Sequence, residues 1–352
     1  ELLLEHQKAF RAARTWADFI GTIRKRSDLG MQVQNLPYRA APLLKHLRDR
    51  GANAKMTTPR WSKRQTQRVL QRGPHRSALA YRDFLKHEFA DMIRKGHWTM
   101  LPADDVLHLA NLRLSPLGVV PQRERRPRVI VDYSFFDVNI DTARLSPAEA
   151  MQFGRTLQRV LHKIVKSNPQ YNPVYLSKVD IDDGFYRVWV VANDIPALSV
   201  LFPTLEDGKQ YVALPLTLPM GWVLSPPFFT AVTETVADLT NTLTRRNIQL
   251  PPHRLEKVAQ AKSVDQPSDP ITVTGTNADP RLPQKAPRRK HSELYDRPVA
   301  YTDLYMDDFI QLVQGGAEQR QHLQWQLLHT LDQVLRPNDT HDHQYCQEPA
   351  SI

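Results

Sequence analysis

The chain has 352 residues, of which 41% are hydrophobic and 24% charged, proportions of a folded globular protein that argue against wholesale disorder. It contains no run of the roughly 20 apolar residues that a membrane-spanning helix needs, and the opening Leu2-Leu3-Leu4 is too short for a signal peptide. The single cysteine, Cys346, excludes an intrachain disulfide and a cysteine-based zinc site, and it favours an intracellular location, cytoplasm or nucleus. The net charge of +10 suits a polyanionic partner, nucleic acid before an anionic membrane, although a soluble basic surface would also account for it.

The N-terminal part of the chain predicts helices. Residues 1–75 are basic and broken by prolines, with helical periodicity only in pieces, so they are expected to form a helical lead-in with loops. Residues 78–95 predict a longer helix, because apolar residues recur there at three- and four-residue spacing, and Gly96 ends it.

Strands come next along the chain. The runs 117–121 and 128–133 predict a β-hairpin whose connection is rich in arginine. A further strand is expected from Val174 to Asp180, and a short helix over residues 183–191.

A second hairpin is predicted between residues 198–202 and 211–214, because Asp207-Gly208 is a strong turn signal between them. Pro226-Pro227 then suits the first turn of a helix, and apolar residues continue at the helical period as far as Leu243.

The last third of the chain alternates between predicted disorder and order. Residues 249–298 contain eight prolines and little apolar periodicity, which predicts a flexible insertion. Residues 299–313 form a strand–turn–strand pattern with an Asp pair at its centre. A final helix carries apolar residues from Leu323 to Val334, and the tail from 337 to 352 is expected to be disordered.

Three segments carry residue types of chemical interest. The first is KVDIDDGFY, from Lys178 to Tyr186, in which an apolar strand ends at Asp180. The second is LPMGW, from Leu218 to Trp222, which leads into a helix, and the third is YMDD, from Tyr305 to Asp308.

The pair Asp307-Asp308 stands inside an apolar stretch, unlike the adjacent aspartates that are common in exposed turns. Burying carboxylates without a counter-charge costs several kcal/mol or more, and a bound cation removes that cost. Oxygen ligands without Cys or His favour a hard ion, magnesium or manganese. With Asp180 at a strand end, the hairpin pair could hold two such ions roughly 3.5–4 Å apart.

These segments, in this order, resemble motifs A, B and C of the reverse transcriptases that retroelements encode. Asp180 matches the motif A aspartate, LPMG with the following Ser225-Pro226 matches motif B, and YMDD matches the Tyr-x-Asp-Asp signature of motif C. Upstream, the segment RVIVDY at 128–133 is similar to the fingers strand that carries a triphosphate-binding arginine.

The resemblance covers roughly residues 78–335 outside the insertion, and it implies an α+β fold, the fingers and palm of a right-hand polymerase without a thumb. The palm would be an antiparallel sheet of the split β-α-β type, with helices on one face and the carboxylates on the other. The implied division is a basic helical lead-in at 1–75, fingers at 76–178, palm at 179–248 and 299–336, the flexible insertion at 249–298 and a disordered tail at 337–352.

The resemblance also implies a reaction. Asp180, Asp307 and Asp308 would be the catalytic carboxylates that bind two Mg²⁺ ions, or Mn²⁺, and the carbonyl oxygen of Ile181 would also contact a metal. The activity would be that of an RNA-directed DNA polymerase, a template-directed nucleotidyl transfer. Its partners would be an RNA template, a DNA primer and product, and deoxynucleoside triphosphates, with no membrane.

Arg128, Asp183, Phe185, Met220 and Gly221 would bind the incoming nucleotide, as the resemblance implies. A guanidinium at Arg128 suits a triphosphate, and the ring of Phe185 would occupy the space that a ribose 2′-hydroxyl needs. Gly221 would let the backbone approach the nucleotide closely. Each also has a purely structural interpretation: a surface arginine, a core aromatic residue and an ordinary turn glycine.

Tyr305 and Met306, with Arg123 and Arg126 of the first hairpin, would contact template and primer. Met220 departs from the glutamine that is common in motif B, and it cannot hydrogen-bond to nucleotide or template comparably. Two other functions stay open: a retroelement remnant that binds nucleic acid without polymerising, and another palm enzyme such as an RNA-dependent RNA polymerase.

Overall fold

The computed structural model of the chain describes residues 2–24, 31, 33, 36, 38–147, 151–181, 183–256 and 294–335. Its α-helices are α1 (Leu2–Ala12), α2 (Trp16–Arg24), α3 (Ala41–Asp49), α4 (Lys63–Arg72), α5 (Arg76–Ala80), α6 (Arg82–Arg94), α7 (Ala103–Val106), α8 (Val138–Asp141), α9 (Thr156–Val165), α10 (Ser225–Arg245) and α11 (Ala317–Leu335). Its strands are β1 (Trp98–Pro102), β2 (Leu114–Gln122), β3 (Arg125–Val131), β4 (Val174–Asp180), β5 (Ser199–Leu201), β6 (Tyr211–Pro215), β7 (Ala300–Tyr305) and β8 (Asp308–Gln314). None of the helices in these ranges is both long and apolar enough to cross a bilayer.

The protein is a mixed α/β protein that divides into two compact units, each with its own sheet. Within the described residues, unit 1 is formed by residues up to Met151, by Asp183–Thr235 and by α11 from Leu331, and unit 2 by residues 152–181 and Val236–Thr330.

Unit 1 contains a five-stranded sheet in the order β1-β6-β5-β2-β3. Both predicted hairpins are confirmed, because β2 pairs antiparallel with β3 and β5 pairs antiparallel with β6. The two hairpins are joined by a parallel pairing of β2 with β5, so this sheet is mixed rather than wholly antiparallel. Strand β1 completes it antiparallel to β6.

Helices of the N-terminal segment pack onto unit 1 through specific polar contacts. In α1 the ring Nδ1 of His6 lies 2.9 Å from Oγ1 of Thr99, and both residues are buried. In α2 the indole N–H of Trp16 donates to the carbonyl oxygen of Ala192 at 2.7 Å. These long-range hydrogen bonds make the N-terminal helices part of the fold of unit 1.

Unit 2 contains a three-stranded sheet in the order β4-β8-β7, with β8 antiparallel to both neighbours. Strands β4 and β7 are therefore parallel to each other with β8 inserted between them, which is the arrangement of a split β-α-β unit. The register pairs Asp180 with Asp308, and Asp308 with Tyr305 on its other side. All three strand predictions in this part of the chain are confirmed.

Helices cover both faces of the unit 2 sheet. On one face Val160 of α9 forms a cluster with Leu312, and Ile310 packs against it. On the opposite face the side chain of Gln311 donates to the carbonyl oxygen of Leu323 in α11. Because alternate residues of a strand point to opposite faces, Asp308 shares the α9 face, so the prediction that the helices lie only opposite the carboxylates is wrong.

Two helix predictions are changed by the structure. The helix expected over 78–95 is divided at Tyr81 into α5 and α6, and it ends before Gly96, whose φ is +76°. The short helix expected over 183–191 is wrong beyond a 3-10 turn at Gly184–Arg187, because Trp189 forms a β-bridge to Thr217.

The predicted insertion and tail fall largely outside the described residues, as 257–293 and 336–352 do. At the margins of the insertion the chain is packed within unit 2. Leu255 is buried, and the backbone N–H of Tyr295 donates to the carbonyl oxygen of Lys166 at 2.9 Å. The flexibility predicted for 249–298 does not extend to these margins.

Candidate metal centre

The β7–β8 hairpin is closed by a two-residue loop, Met306-Asp307, between the paired residues Tyr305 and Asp308. Met306 has φ +64°, and Asp307 is not among the residues with positive φ. A positive φ at the first central residue alone is the pattern of a type II′ turn, which matches the twist of the flanking strands. A methionine in this conformation is strained, at a cost of about 1–3 kcal/mol.

The turn brings three carboxylates together at one end of the unit 2 sheet. Asp180 and Asp308 are direct cross-strand neighbours, and Asp307 precedes Asp308 in the turn. One carboxylate oxygen of each residue lies within 4.8 Å of the other two, and all three side chains are half-buried. Among the described residues, no other three His, Cys, Asp or Glu side chains come together in this way.

The electrostatics of the cluster favour a cation. Burial, and then the negative charges of Asp308 and Asp307, raise the pKa of Asp180 to about 6. Burial also raises the pKa of Asp307 above its usual value. Like charges held this close disfavour ionisation, and a divalent cation would restore it. The cluster can therefore hold a metal ion, and its all-oxygen donor set fits a hard one.

Lys178 faces the carboxylate cluster from β4, the strand that ends at Asp180. The Nζ atom of Lys178 lies 2.8 Å from Oδ1 of Asp308, and this hydrogen bond raises the pKa of the lysine. Lys178 is not among the site residues predicted from the sequence. The signal was present, because residues two apart in a strand point to the same face and Lys178 is two residues before Asp180.

The strand that enters the hairpin is anchored to α9. The guanidinium of Arg159 binds Asp303 in a bidentate manner, with Nε–Oδ2 and Nη2–Oδ1 distances of 2.7 and 2.5 Å. Asp303 is buried, and the hydroxyl of Thr156 donates to the neighbouring carbonyl oxygen of Leu304. A paired, hydrogen-bonded charge of this kind fixes β7 two residues before Tyr305.

The other residues predicted at the hairpin differ in exposure. Ile181 directly follows β4 and its side chain is buried, so only its backbone is available to a ligand. Tyr305 is 53% exposed, and its ring packs edge-on against Phe153 at 5.4 Å between centroids. The contact of Tyr305 and Met306 with template and primer stays a prediction.

The residues predicted to bind nucleotide lie in unit 1, and the structure brings two of them together. Arg128 and Met220 line one cavity of about 170 Å³ with the aromatic residues Phe89, Trp98 and Tyr186. Tyr186 ends the segment KVDIDDGFY, whereas Phe89 and Trp98 come from α6 and β1 and belong to none of the three motif segments.

Gly221 has a clear structural reason within unit 1. Its φ is +91°, and a Cβ atom added there would lie 2.6 Å from the carbonyl oxygen of Val131. The side chain of Asn139 holds the same turn by donating to the Gly221 carbonyl oxygen at 3.0 Å and accepting from the Val223 N–H at 2.9 Å. Glycine is required here by the close approach of this turn to the end of β3.

Asp183 and Phe185 follow β4 along the chain, and each has a partner within unit 1. The carboxylate of Asp183 lies 2.8 Å from Nζ of Lys95. The half-buried ring of Phe185 packs edge-on against Phe229, with centroids 5.0 Å apart. Their predicted roles beneath the nucleotide stay predictions.

The arginines of the first hairpin are in different surroundings. Arg123 is exposed beside the turn between β2 and β3, and Arg128 is exposed on β3. Arg126 forms an ion pair with Glu88 and lies over the ring of Phe84, 5.9 Å from its centroid. Arg126 is thus partly occupied by neighbours of its own unit.

No protein-family model matches the chain, and no curated protein matches its sequence. The site is therefore defined by its geometry and by the motifs in the sequence.

Proposed function

We propose that the chain is a template-directed nucleotidyltransferase of the reverse-transcriptase type. The observation that carries the proposal is the cluster of Asp180, Asp307 and Asp308, formed by the end of one strand and the turn of a two-residue hairpin. The order of the motifs around these aspartates is the order found in that family.

The metal would be Mg²⁺, or Mn²⁺, in two sites held by the three carboxylates and the backbone carbonyl of Ile181. When bound, the ions lower the pKa of an attacking hydroxyl and stabilise the charge of the leaving pyrophosphate. The protein's contribution is to hold the carboxylates in place. It does so through the β4–β8 register, the strained Met306 turn and the Arg159–Asp303 pair.

Arg128 is the best candidate for holding the triphosphate. Its side chain is exposed, and no carboxylate within the described part of the chain forms an ion pair with it. A free guanidinium can bind phosphate oxygens in a bidentate manner. Phe185 supports a preference for deoxynucleotides, since a half-buried, packed ring cannot easily move aside for a 2′-hydroxyl.

The proposal predicts that Asp307→Asn abolishes primer extension on an RNA template in the presence of Mg²⁺, by about 10³-fold or more. Removing a ligand carboxylate forfeits the several kcal/mol that the metals supply. The matched control is Asp104→Asn, the same change at an exposed helix residue that is not in the cluster, and it should extend primers normally. Circular dichroism should show that both variants are folded.

The same assay separates the alternatives. If the unsubstituted chain binds primer–template but never extends it, the chain is a nucleic-acid-binding remnant and the enzymatic proposal is wrong. If it extends with ribonucleotides in preference to deoxynucleotides, it is an RNA polymerase instead.

A further inference from the structure

A long stretch of the N-terminal segment is basic and contains no acidic residue. Between Asp49 and Asp83 there is neither Asp nor Glu. The Lys and Arg residues in this interval are Arg50, Lys55, Arg60, Lys63, Arg64, Arg68, Arg72, Arg76 and Arg82. Four of them lie on the single helix α4.

Helix α4 carries its charge as a stripe. It begins at Ser62 with a capping box that includes Gln65, and its buried residue is Val69. Arg64, Arg68 and Arg72 recur every four residues and are all exposed. Four residues of α-helix advance about 6 Å, so the three guanidinium groups form a row along one side of the helix.

The row is not explained by the stability of the helix. Within the described residues, neither Arg64 nor Arg68 forms an ion pair with an acidic side chain, and like charges at this spacing destabilise a helix. The simplest account of the row is a solvated basic face. On that account, no particular feature is expected in the residues around it.

A row of aromatic side chains lies in the same unit as α4. Ring centroids are 6.1 Å apart for Trp61 and Phe136, 4.8 Å for Phe136 and Phe135, and 5.2 Å for Phe135 and His75. Phe135 is 47% exposed, and the guanidinium of Arg72 lies over its ring at 4.2 Å. Arg72 therefore belongs to both the basic and the aromatic row.

Phe135 is the exposed residue of this aromatic row, and the side chain of Asp132 fixes the backbone beside it. Oδ1 of Asp132 accepts hydrogen bonds from the N–H groups of Ser134 and Phe135 at 3.2 and 3.0 Å. Oδ2 of the same residue lies 3.2 Å from Nε2 of His75. Because the main chain at Phe135 is fixed and its ring packs edge-on against His75 and Phe136, the ring loses little conformational entropy when a ligand stacks on it.

We propose that α4 and the row Trp61, Phe136, Phe135 and His75 together bind single-stranded nucleic acid. Phosphates would lie along the α4 arginines, and a base would stack on Phe135 beside Arg72. Exposed π faces next to cations are what a single strand recognises, since its bases are unstacked, whereas a duplex offers only phosphates and groove edges. The identity of the strand as the template rests on the proposed function, but the binding itself does not.

The test measures binding of the full chain to a fluorescent single-stranded oligonucleotide by anisotropy over a range of salt concentrations. The variant Arg64→Gln/Arg68→Gln/Arg72→Gln should reduce the slope of log affinity against log salt by about 2, since each phosphate contact contributes roughly 0.7. The matched control, Arg39→Gln/Lys45→Gln/Arg50→Gln, removes three exposed cations elsewhere in unit 1 and should leave the slope nearly unchanged. Equal slopes for the two triple variants would overturn the proposal.

Stacking is tested separately at Phe135. Phe135→Ala should weaken binding about tenfold, and Phe135→Leu should weaken it similarly because leucine keeps apolar area but lacks a π face. Full binding by the leucine variant would show that the surface takes apolar contacts and would overturn the stacking assignment. Equally tight binding of a blunt duplex, or binding to anionic phospholipid vesicles without binding to the oligonucleotide, would overturn the proposal as well.

Asp307→Asn distinguishes this proposal from the proposed function. It should bind the oligonucleotide as tightly as the unsubstituted chain while failing to extend a primer. If the arginine variants bind normally and Asp307→Asn still abolishes extension, the surface is wrong and the catalytic proposal stands.

Discussion

Lys178 places a positive charge beside the three-aspartate cluster. Its ammonium group is hydrogen-bonded to Asp308, so in the metal-free chain a monovalent cation already faces the carboxylate cluster. The side chain is about half exposed, so the ion pair contributes only about 0–1 kcal/mol to stability. A divalent ion bound to the same carboxylates must compete with this lysine.

We therefore expect Lys178→Gln to bind Mg²⁺ about two- to fivefold more tightly than the unsubstituted chain. The range follows from the exposed-pair energy at about 1.4 kcal/mol per tenfold. The metal-free variant should also be slightly less stable, because three carboxylates are left without the ammonium group. Thermal unfolding over a series of MgCl₂ concentrations at constant ionic strength measures both effects.

Lys55 provides the control for this experiment. It forms a Lys–Asp pair of similar length, 2.7 Å, with Asp194, which is not part of the cluster. Lys55→Gln should lower stability without changing the Mg²⁺ dependence. Weaker Mg²⁺ binding by Lys178→Gln would mean that the lysine assists the metal rather than competing with it.

Some residues of the candidate metal centre could be predicted from the sequence, and others could not. The three aspartates were identifiable because they stand in apolar segments, where unpaired carboxylates are costly. Their partners were not, because Arg159 reaches Asp303 from a helix that is 144 residues away along the chain. Such pairings depend on the tertiary fold, and a single sequence contains no local signal for them.

Among the elements, the turn at Gly221 is set by steric contact with β3. A side chain at Gly221 would have to adopt φ +91° and would collide with the backbone oxygen of Val131, which cannot move without disturbing its strand. Replacing Gly221 therefore has two costs: the backbone strain of positive φ and the collision with the Val131 oxygen.

We expect Gly221→Ala to lower the free energy of unfolding by about 2–4 kcal/mol, of which about 1 kcal/mol is backbone strain. Gly208→Ala is the control, because Gly208 has φ +73° and no atom within 4 Å of the added Cβ. In that variant, the free energy of unfolding should fall only by the cost of the backbone strain. Urea unfolding of both variants measures the difference, and equal losses would show that the turn shifts to accommodate the methyl group.

Elements were predicted well where their signal is local. The two hairpins and the strand–turn–strand around YMDD follow from turn residues and alternation, which act over a few neighbours. The segment 188–191 was predicted as helix and instead forms isolated bridges, such as Val190 to Ala52, because contacts with residues distant in the chain override local propensity.

At the scale of the whole molecule, the least predictable feature was strand order. Nothing in the sequence indicates that β2 pairs in parallel with β5, more than 60 residues later, and this pairing joins the two hairpins of unit 1 into one sheet. Parallel pairing depends on a long crossover whose path is fixed by packing. The net positive charge, by contrast, follows directly from the composition. It is concentrated in the acid-free segment that contains α4.

The pH dependence of stability is another property of the whole molecule, and His97 should dominate one part of it. The ring is buried and stacks on Tyr186 with centroids 4.3 Å apart. Burial lowers the pKa of His97 to about 4, against a smaller opposing effect of the charge of Asp183. Lys95 and Arg187 lower it further.

Between pH 6.5 and 4 the unfolded chain therefore binds a proton at His97 that the folded chain does not. The stabilisation from the neutral ring is complete above pH 6.5 and is lost as the pH falls, by about 1.4 kcal/mol per pH unit and about 2–3 kcal/mol in total by pH 4.5. Asp180 acts in the opposite direction, because its raised pKa makes the folded chain the better proton acceptor between pH 6 and 4. The unsubstituted curve alone mixes the two effects.

We expect His97→Phe, which keeps a ring against Tyr186 but cannot titrate, to lose about 2–3 kcal/mol less stability than the unsubstituted chain between pH 7.5 and 4.5. Urea unfolding at several pH values gives the two curves, and their difference removes the contribution of Asp180 because both chains contain it. His87→Phe makes the same substitution at an exposed histidine and should leave the pH dependence unchanged. Parallel curves for His97→Phe and the unsubstituted chain would mean that the folded protein protonates His97 as readily as the unfolded chain does.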